Sequence, residues 1–479
     1  MFGDYEAQRH WMEITYNLPV NEWYKNSSDN NLQYWGLDYP PLTAYHSWLC
    51  GYVANKINSD WVALNSSKGF ESGQHKLFMR YTVMLVDLLL YIPAILIFFV
   101  KTLKNKSIQE CLLLATVVLL YPGLIIIDHG HFQYNNASLG LQILAVSAIA
   151  TGHDLWGSLI FVFALNYKQM ELYHSVPFFC FLLGKCFRSQ DENGFLKLVK
   201  IGFVVLLGFS LCWMPFLTNL ETALQVLHRL FPFDRGLFED KVSNIWCILD
   251  VLLKLKRKLA QEHLVLLSLA STVLAFLPSA LDLLVKPSFE KFKFSLINCS
   301  LVFFLFSYQV HEKSILIPAI SVILVFHDQP FLASWFLLIS TFSMLPLLIK
   351  DLLFLPYAAL SILFIVMVFI YVKLYPPTPT HWLLQILGIL SVIGAVFLSI
   401  TAVLVTAPSR YPDIFAVLIS GYSCVHFVFF LVWFYYLQLK AGIAVDFEDT
   451  MKNKSSDKMT KKKERKQKYQ RRKKSKKVD

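Results

Sequence analysis

Charge is scarce in this chain. Asp, Glu, Lys and Arg make up 16% of its 479 residues, and 56% are hydrophobic. Soluble domains carry about 25% charged residues, so an ordinary soluble core is excluded. Paired cysteines are also missing. The eight cysteines are scattered, most of them inside apolar runs, and no Cys-x-x-Cys occurs. That argues against a disulfide framework or a zinc site and leaves buried structural thiols. No glycine-rich loop of the P-loop or dinucleotide-binding type is present, which disfavours a nucleotide donor. No internal repeat and no signal peptide can be read.

Long apolar runs take the place of charge, for example Leu352–Val372 and Leu383–Ala407. About 20 apolar residues cross a bilayer as a helix, because in lipid each backbone amide must be bonded within its own segment. Spans are predicted at 77–100, 110–127, 137–151, 154–171, 175–187, 196–217, 264–285, 294–308, 314–327, 331–349, 352–374, 383–407 and 414–438. The chain therefore reads as an all-α polytopic membrane protein. A polar, aromatic-rich region at 1–76 precedes about 13 helices at 77–438, and a basic tail follows at 439–479.

The net charge of +11 belongs to that tail. Fifteen Lys or Arg and three acids lie between Lys452 and Asp479, and the chain before Lys452 holds 29 basic and 30 acidic residues. A nucleic-acid arm is the weaker reading. A disordered cytosolic tail that touches anionic membrane lipid is the stronger one. Its end, Lys476-Lys477-Val478-Asp479, is similar to the dilysine signal that returns membrane proteins to the endoplasmic reticulum.

With the tail in the cytosol, counting back through thirteen spans places Lys101/Lys104/Lys106, Lys185/Arg188/Lys197 and Lys286/Lys291/Lys293 in the cytosol as well, as the positive-inside rule requires. Lys254, Lys256, Arg257 and Lys258 fall on the other side, and Val242–Leu253 reads as a short amphipathic or re-entrant helix. An odd count puts residues 1–76 in the lumen, so a further span upstream of Met1, absent from this sequence, is expected.

On this topology six polar clusters share the lumenal face. They are Gly3–Trp11, Leu32–Pro41, Asp128–Asn135, Tyr167–Glu171, Arg229–Asp240 and Gln309–Lys313. Ionisable groups at a membrane boundary are costly and commonly functional. Each cluster also has a plainer explanation. Asp4 and Glu6 suit a helix cap, Leu37–Pro41 a rigid turn, and Lys168 a snorkelling side chain. His129 and His131 resemble a metal pair, but Gly130 and the lack of a third ligand argue against one. Together the clusters supply what sugar transfer from a lipid phosphate needs. Asp4, Glu6 and Asp38 offer a general base. Arg9, Lys168, His311 and Lys313 offer positive charge for the leaving phosphate. Trp11, Trp35, Tyr39, Gln133 and Asn135 offer surfaces that orient sugar rings.

The strings FGDYEAQRHW, LQYWGLDYPPLTAYHS, GHFQYN, NYKQMELYH, RLFPFDRGLFEDKVSNIWC and QVHEKSIL resemble the GT-C glycosyltransferases, and among them the endoplasmic-reticulum glucosyltransferases that use dolichyl-phosphate glucose. The resemblance implies a GT-C fold with lumenal loop helices and an inverting, metal-independent reaction with no cofactor. The implied acceptor is a dolichyl-diphosphate-linked high-mannose oligosaccharide, glucosylated in α-1,3 linkage. Asp4 matches the family's first-loop acid and is the expected base. Asp38 falls in the second acidic motif, and His311 with Glu312 matches the motif near the donor phosphate. Glu6, Arg9, Tyr39, His131, Gln133, Lys168 and Gln169 complete the expected substrate-binding set. The sister activity that adds the second glucose is the nearest alternative, since both share Leu-Asp-Tyr-Pro-Pro. A transporter using Asp87 and Lys168, or a scaffold without activity, are the alternatives of other classes.

Overall fold

The computed structural model describes residues 3–188, 193–231, 241–378 and 380–441. The regular elements among them are helices. Two lie in the N-terminal region, α1 (Tyr5–Asn17) and α2 (Pro41–Ile57), the latter with proline at its first position. Proline suits that position because its missing N–H would have no partner there. The two helices cross closely at Gly51, where a Cβ would come within 2.6 Å of the Met12 carbonyl oxygen.

α1 is buried on nearly every side. One face carries Tyr5 and Met12 into an apolar cluster with Cys50, Trp61, Met79 and Phe132. The other carries Ala7, Trp11 and Ile14 into a second cluster with Trp23, Leu37 and Phe216. Its polar residues are therefore enclosed as well, and each needs a partner inside the protein.

The membrane part begins with α3 (Gly73–Thr102), followed by α4 (Ile108–Leu119) and α5 (Pro122–Phe132), which bend by 50° against each other. Then come α6 (Asn135–Ala150) and α7 (Asp154–Tyr167). A helix stands at each of the thirteen predicted positions. By length and composition, six of the described helices can cross a bilayer, or seven if the α4–α5 pair is one span. The others are shorter, or carry charge in the first turns as Phe289–Phe306 does with Glu290, Lys291 and Lys293. The helix predicted near 242–253 is present at Ile245–Leu253, with Asn244 as its cap and Lys254 left-handed at its end. Long apolar faces point outward: Phe354–Leu374 keeps 11% of its apolar window inside. Such a belt is stable against lipid and not against water. The chain is a multi-pass membrane protein.

Two stretches depart from α geometry. Asp87–Tyr91 in α3 and Ile126–Phe132 at the end of α5 are π turns. One extra residue per turn rotates the following side chains, a device frequent at functional sites. Here the turns bring His129 Nε2 to 2.7 Å from Asp87 Oδ2.

Candidate active site

The chain enters α1 through Gly3 and Asp4. Gly3 has φ +60°, and a Cβ there would lie 2.0 Å from the His131 carbonyl oxygen. That carbonyl accepts the Asp4 N–H at 2.8 Å. Asp4 is thus fixed to the end of α5 by its own backbone. Its carboxylate accepts from Lys313 Nζ at 2.8 Å and from Gln133 Nε2, and His131 Nε2 stands 3.3 Å from its other oxygen. Burial raises the Asp4 pKa, but the groups around the carboxylate, the Lys313 ammonium first among them, outweigh it and hold the carboxyl well below the usual range.

From Asp4 the network extends two ways. Gln133 Oε1 accepts from Lys168 Nζ at 3.2 Å and from Asn135 Nδ2 at 2.9 Å. Lys168 also donates to Asn135 Oδ1, and Asn135 in turn donates to Asp128 at 2.6 Å. Lys168 Nζ lies 5.0 Å from the Tyr39 ring centroid, within cation–π range. In the other direction, His131 Nδ1 is 2.5 Å from Asp351 Oδ2, and Lys313 Nζ is 3.0 Å from His131 Nε2.

The expected residues fall into three groups. Asp4, His131, Gln133 and Lys168 form one connected cluster, with Tyr39 over Lys168. Gln169 donates to the Asp38 carbonyl at 3.0 Å and to the Leu230 carbonyl at 3.4 Å, so it ties the Leu32–Pro41 loop to the segment near Arg229. Arg229 donates to the carbonyls of Gly36 and Leu37 at 3.0 and 3.2 Å. His311 Nδ1 lies 2.8 Å from Glu312 Oε2, two residues before Lys313. Burial raises the Glu312 pKa, and the His311 contact more than reverses it.

Glu6 and Arg9 lie in a network of their own on α1. Arg9 holds Glu6 in a two-pronged pair at 2.7 and 2.9 Å, reaches Glu13 at 2.8 Å and donates to Ser67 at 2.6 Å. Glu6 also accepts from the Tyr34 hydroxyl and the Gly69 N–H. This network fastens α1 to the segment around Gly69. The Asp234–Asp240 part of the fifth cluster, the Lys476-Lys477 signal and the tail beyond 441 lie outside the described residues.

Two contributors stand outside the expected site set. Lys313 was visible as a cation in its cluster, but only the fold shows that it faces Asp4. Asp351 follows Lys350 in the gap between two apolar runs, where a charge reads as a loop residue. The Lys350-Asp351 pair between such runs is the one sequence signal that could have drawn attention to it.

A sequence profile described as the ALG6, ALG8 glycosyltransferase family matches residues 1–433. The chain belongs to this family. The Gallus gallus and Rattus norvegicus proteins named dolichyl pyrophosphate Man9GlcNAc2 alpha-1,3-glucosyltransferase are 52% and 53% identical to it over 457 residues, with 91% of this chain and 90% of each relative covered. The Mus musculus protein of the same name is 53% identical with the same coverage. Family membership accords with the all-α, polytopic, GT-C architecture. It also accords with glycosyl transfer as the chain's activity.

Proposed function

We propose that this chain transfers the first glucose from dolichyl-phosphate glucose to a dolichyl-diphosphate-linked high-mannose oligosaccharide, forming an α-1,3 linkage with inversion. The observation that carries the reading is the Asp4 carboxylate set between Lys313, Gln133 and His131. Asp4 is the general base that takes the proton of the attacking sugar hydroxyl. Lys313, with Lys168 behind Gln133, meets the charge that grows on the leaving phosphate. His311 and Glu312 flank that position, and Tyr39 with the Asp38 segment faces the sugars.

A carboxylate paired to a lysine is a weak base. Arrival of the donor phosphate relieves this, because Lys313 then has a second anion to bind and Asp4 regains basicity. The site reads as lumenal in the endoplasmic-reticulum membrane, with residues 1–76 as the first loop and 439–479 as the cytosolic tail. The basic tail and the basic loops at Lys101–Lys106, Lys185–Lys197 and Lys286–Lys293 support that sidedness.

The test is transfer by the full chain in membranes, with unglucosylated and monoglucosylated acceptors offered in parallel. The expectation is transfer to the unglucosylated acceptor, and loss of about 10²–10⁴-fold in turnover for Asp4→Asn at unchanged protein level. Transfer to the monoglucosylated acceptor alone would assign the sister reaction. Wild-type turnover by Asp4→Asn would remove the base.

A further inference from the structure

His131 is held from both sides. Asp351 Oδ2 lies 2.5 Å from Nδ1, while Lys313 Nζ is 3.0 Å and Asp4 Oδ1 3.3 Å from Nε2. The ring and Asp351 are almost enclosed, with side chains 5% and 8% exposed. An ammonium only donates, so its contact with Nε2 requires a bare lone pair there and places the ring proton on Nδ1, facing Asp351. The backbone on both sides of this contact is strained. Phe132, next to His131, has φ 79°, and Leu352, next to Asp351, has φ 59°. Side chains other than glycine rarely adopt such φ values, and the strain persists where the surroundings over-determine it.

We propose that Asp351 is a positioning residue that fixes the Nδ1–H form of His131, leaving Nε2 to receive the proton that Asp4 takes from the acceptor hydroxyl. This rests on the reading of Asp4 as base. The balance is as follows. The acceptor O–H bond breaks and an O–H bond forms on Asp4. The glucosyl carbon gains the acceptor oxygen and loses the phosphate oxygen, which leaves with the bonding pair. The Asp4 O–H then breaks as Nε2–H forms, and the resulting imidazolium faces the Asp351 carboxylate. Lys313 vacates Nε2 by following the charge onto the leaving phosphate. The other charged groups around the ring are Asp128 and His129 on its own turn, Asp87 of α3 paired with His129, and Lys168 beyond Gln133.

Asp351→Asn keeps the shape and an acceptor for Nδ1–H but removes the charge. In the full chain, kcat should fall about 10²-fold, both substrate KM values should stay within about twofold, and the melting temperature should hold. His131→Gln should lose a similar factor, and adding Asp351→Asn to it should change nothing further, because the two act as one unit. Should Asp351→Asn fold poorly, His131→Gln alone decides. Unchanged kcat in either single variant overturns the proposal. So does a loss from Asp351→Asn that persists in full on the His131→Gln background, or one confined to KM. If Asp4→Asn is inactive while Asp351→Asn is normal, only the positioning role falls. If Asp4→Asn turns over normally, the base assignment falls first.

Discussion

Arg9→Met separates a structural arginine from a substrate-binding one. The Arg9 side chain is fully enclosed, as is Glu13, and Glu6 is 11% exposed. Methionine replaces the stem of Arg9 but not its fork, so the Glu6, Glu13 and Ser67 contacts are lost together. Removing one partner of a buried pair costs about 3–5 kcal/mol, chiefly because the remaining charge has nothing to answer it. Two carboxylates would double that figure if both were stripped bare. They are not: Glu6 keeps the Tyr34 hydroxyl and the Gly69 N–H, and Glu13 keeps the Asn65 N–H, Ser67 and His10. The expected loss is therefore close to the single-pair figure. It should appear as a lower melting temperature in detergent and earlier protease cleavage in the first 70 residues. The triple variant Glu6→Gln, Arg9→Met, Glu13→Gln removes every charge at once and should recover most of the stability. Arg9→Met with wild-type stability but no turnover would refute the reasoning, and would return Arg9 to the substrate.

Two further substitutions probe the Asp4 cluster. Gly3→Ala places a Cβ against the His131 carbonyl at a φ that disfavours alanine, so the Asp4 tether must break; turnover should drop at least 10²-fold at a normal protein level, and unchanged turnover would show that the tether is dispensable. Lys313→Met should lower kcat about 10²–10³-fold by stripping the leaving phosphate of charge. It also frees Asp4 from its main electrostatic depressant, so the Asp4 pKa rises and the acid limb of the pH–rate profile, where the base becomes protonated, moves to higher pH. A limb that stays in place would show that Asp4 is not the group titrating there.

The membrane helices were legible because lipid admits so few structures: an apolar run of span length has little choice but to be a helix. Half of them fall short of a full span, and sequence could not separate these from the rest, since a run such as Pro330–Ser343 is as apolar as a longer one. The Asp4, His131, Gln133 and Lys168 cluster was legible for an electrostatic reason, as charges near lipid need a purpose. That same logic did not show the contacts Arg9 makes within the chain. The spacing Glu6, Arg9, Glu13, three and four residues apart on one helix, already described a side-chain fork along α1. The π turns were hidden because hydrophobic periodicity does not register a single inserted residue. Without them nothing indicated that His131 would turn toward Asp351.

Asp4 and Lys313 are 309 positions apart in the chain. Translation advances at about 5–20 residues per second, so the acid waits roughly 15–60 s for its counter-cation to leave the ribosome. During that interval the early helices already hold a carboxylate with no lysine to neutralise it. A growing polypeptide of this kind lacks the Asp4–Lys313 contact until its late helices dock, and any premature stop before Lys313 leaves the carboxylate without its lysine.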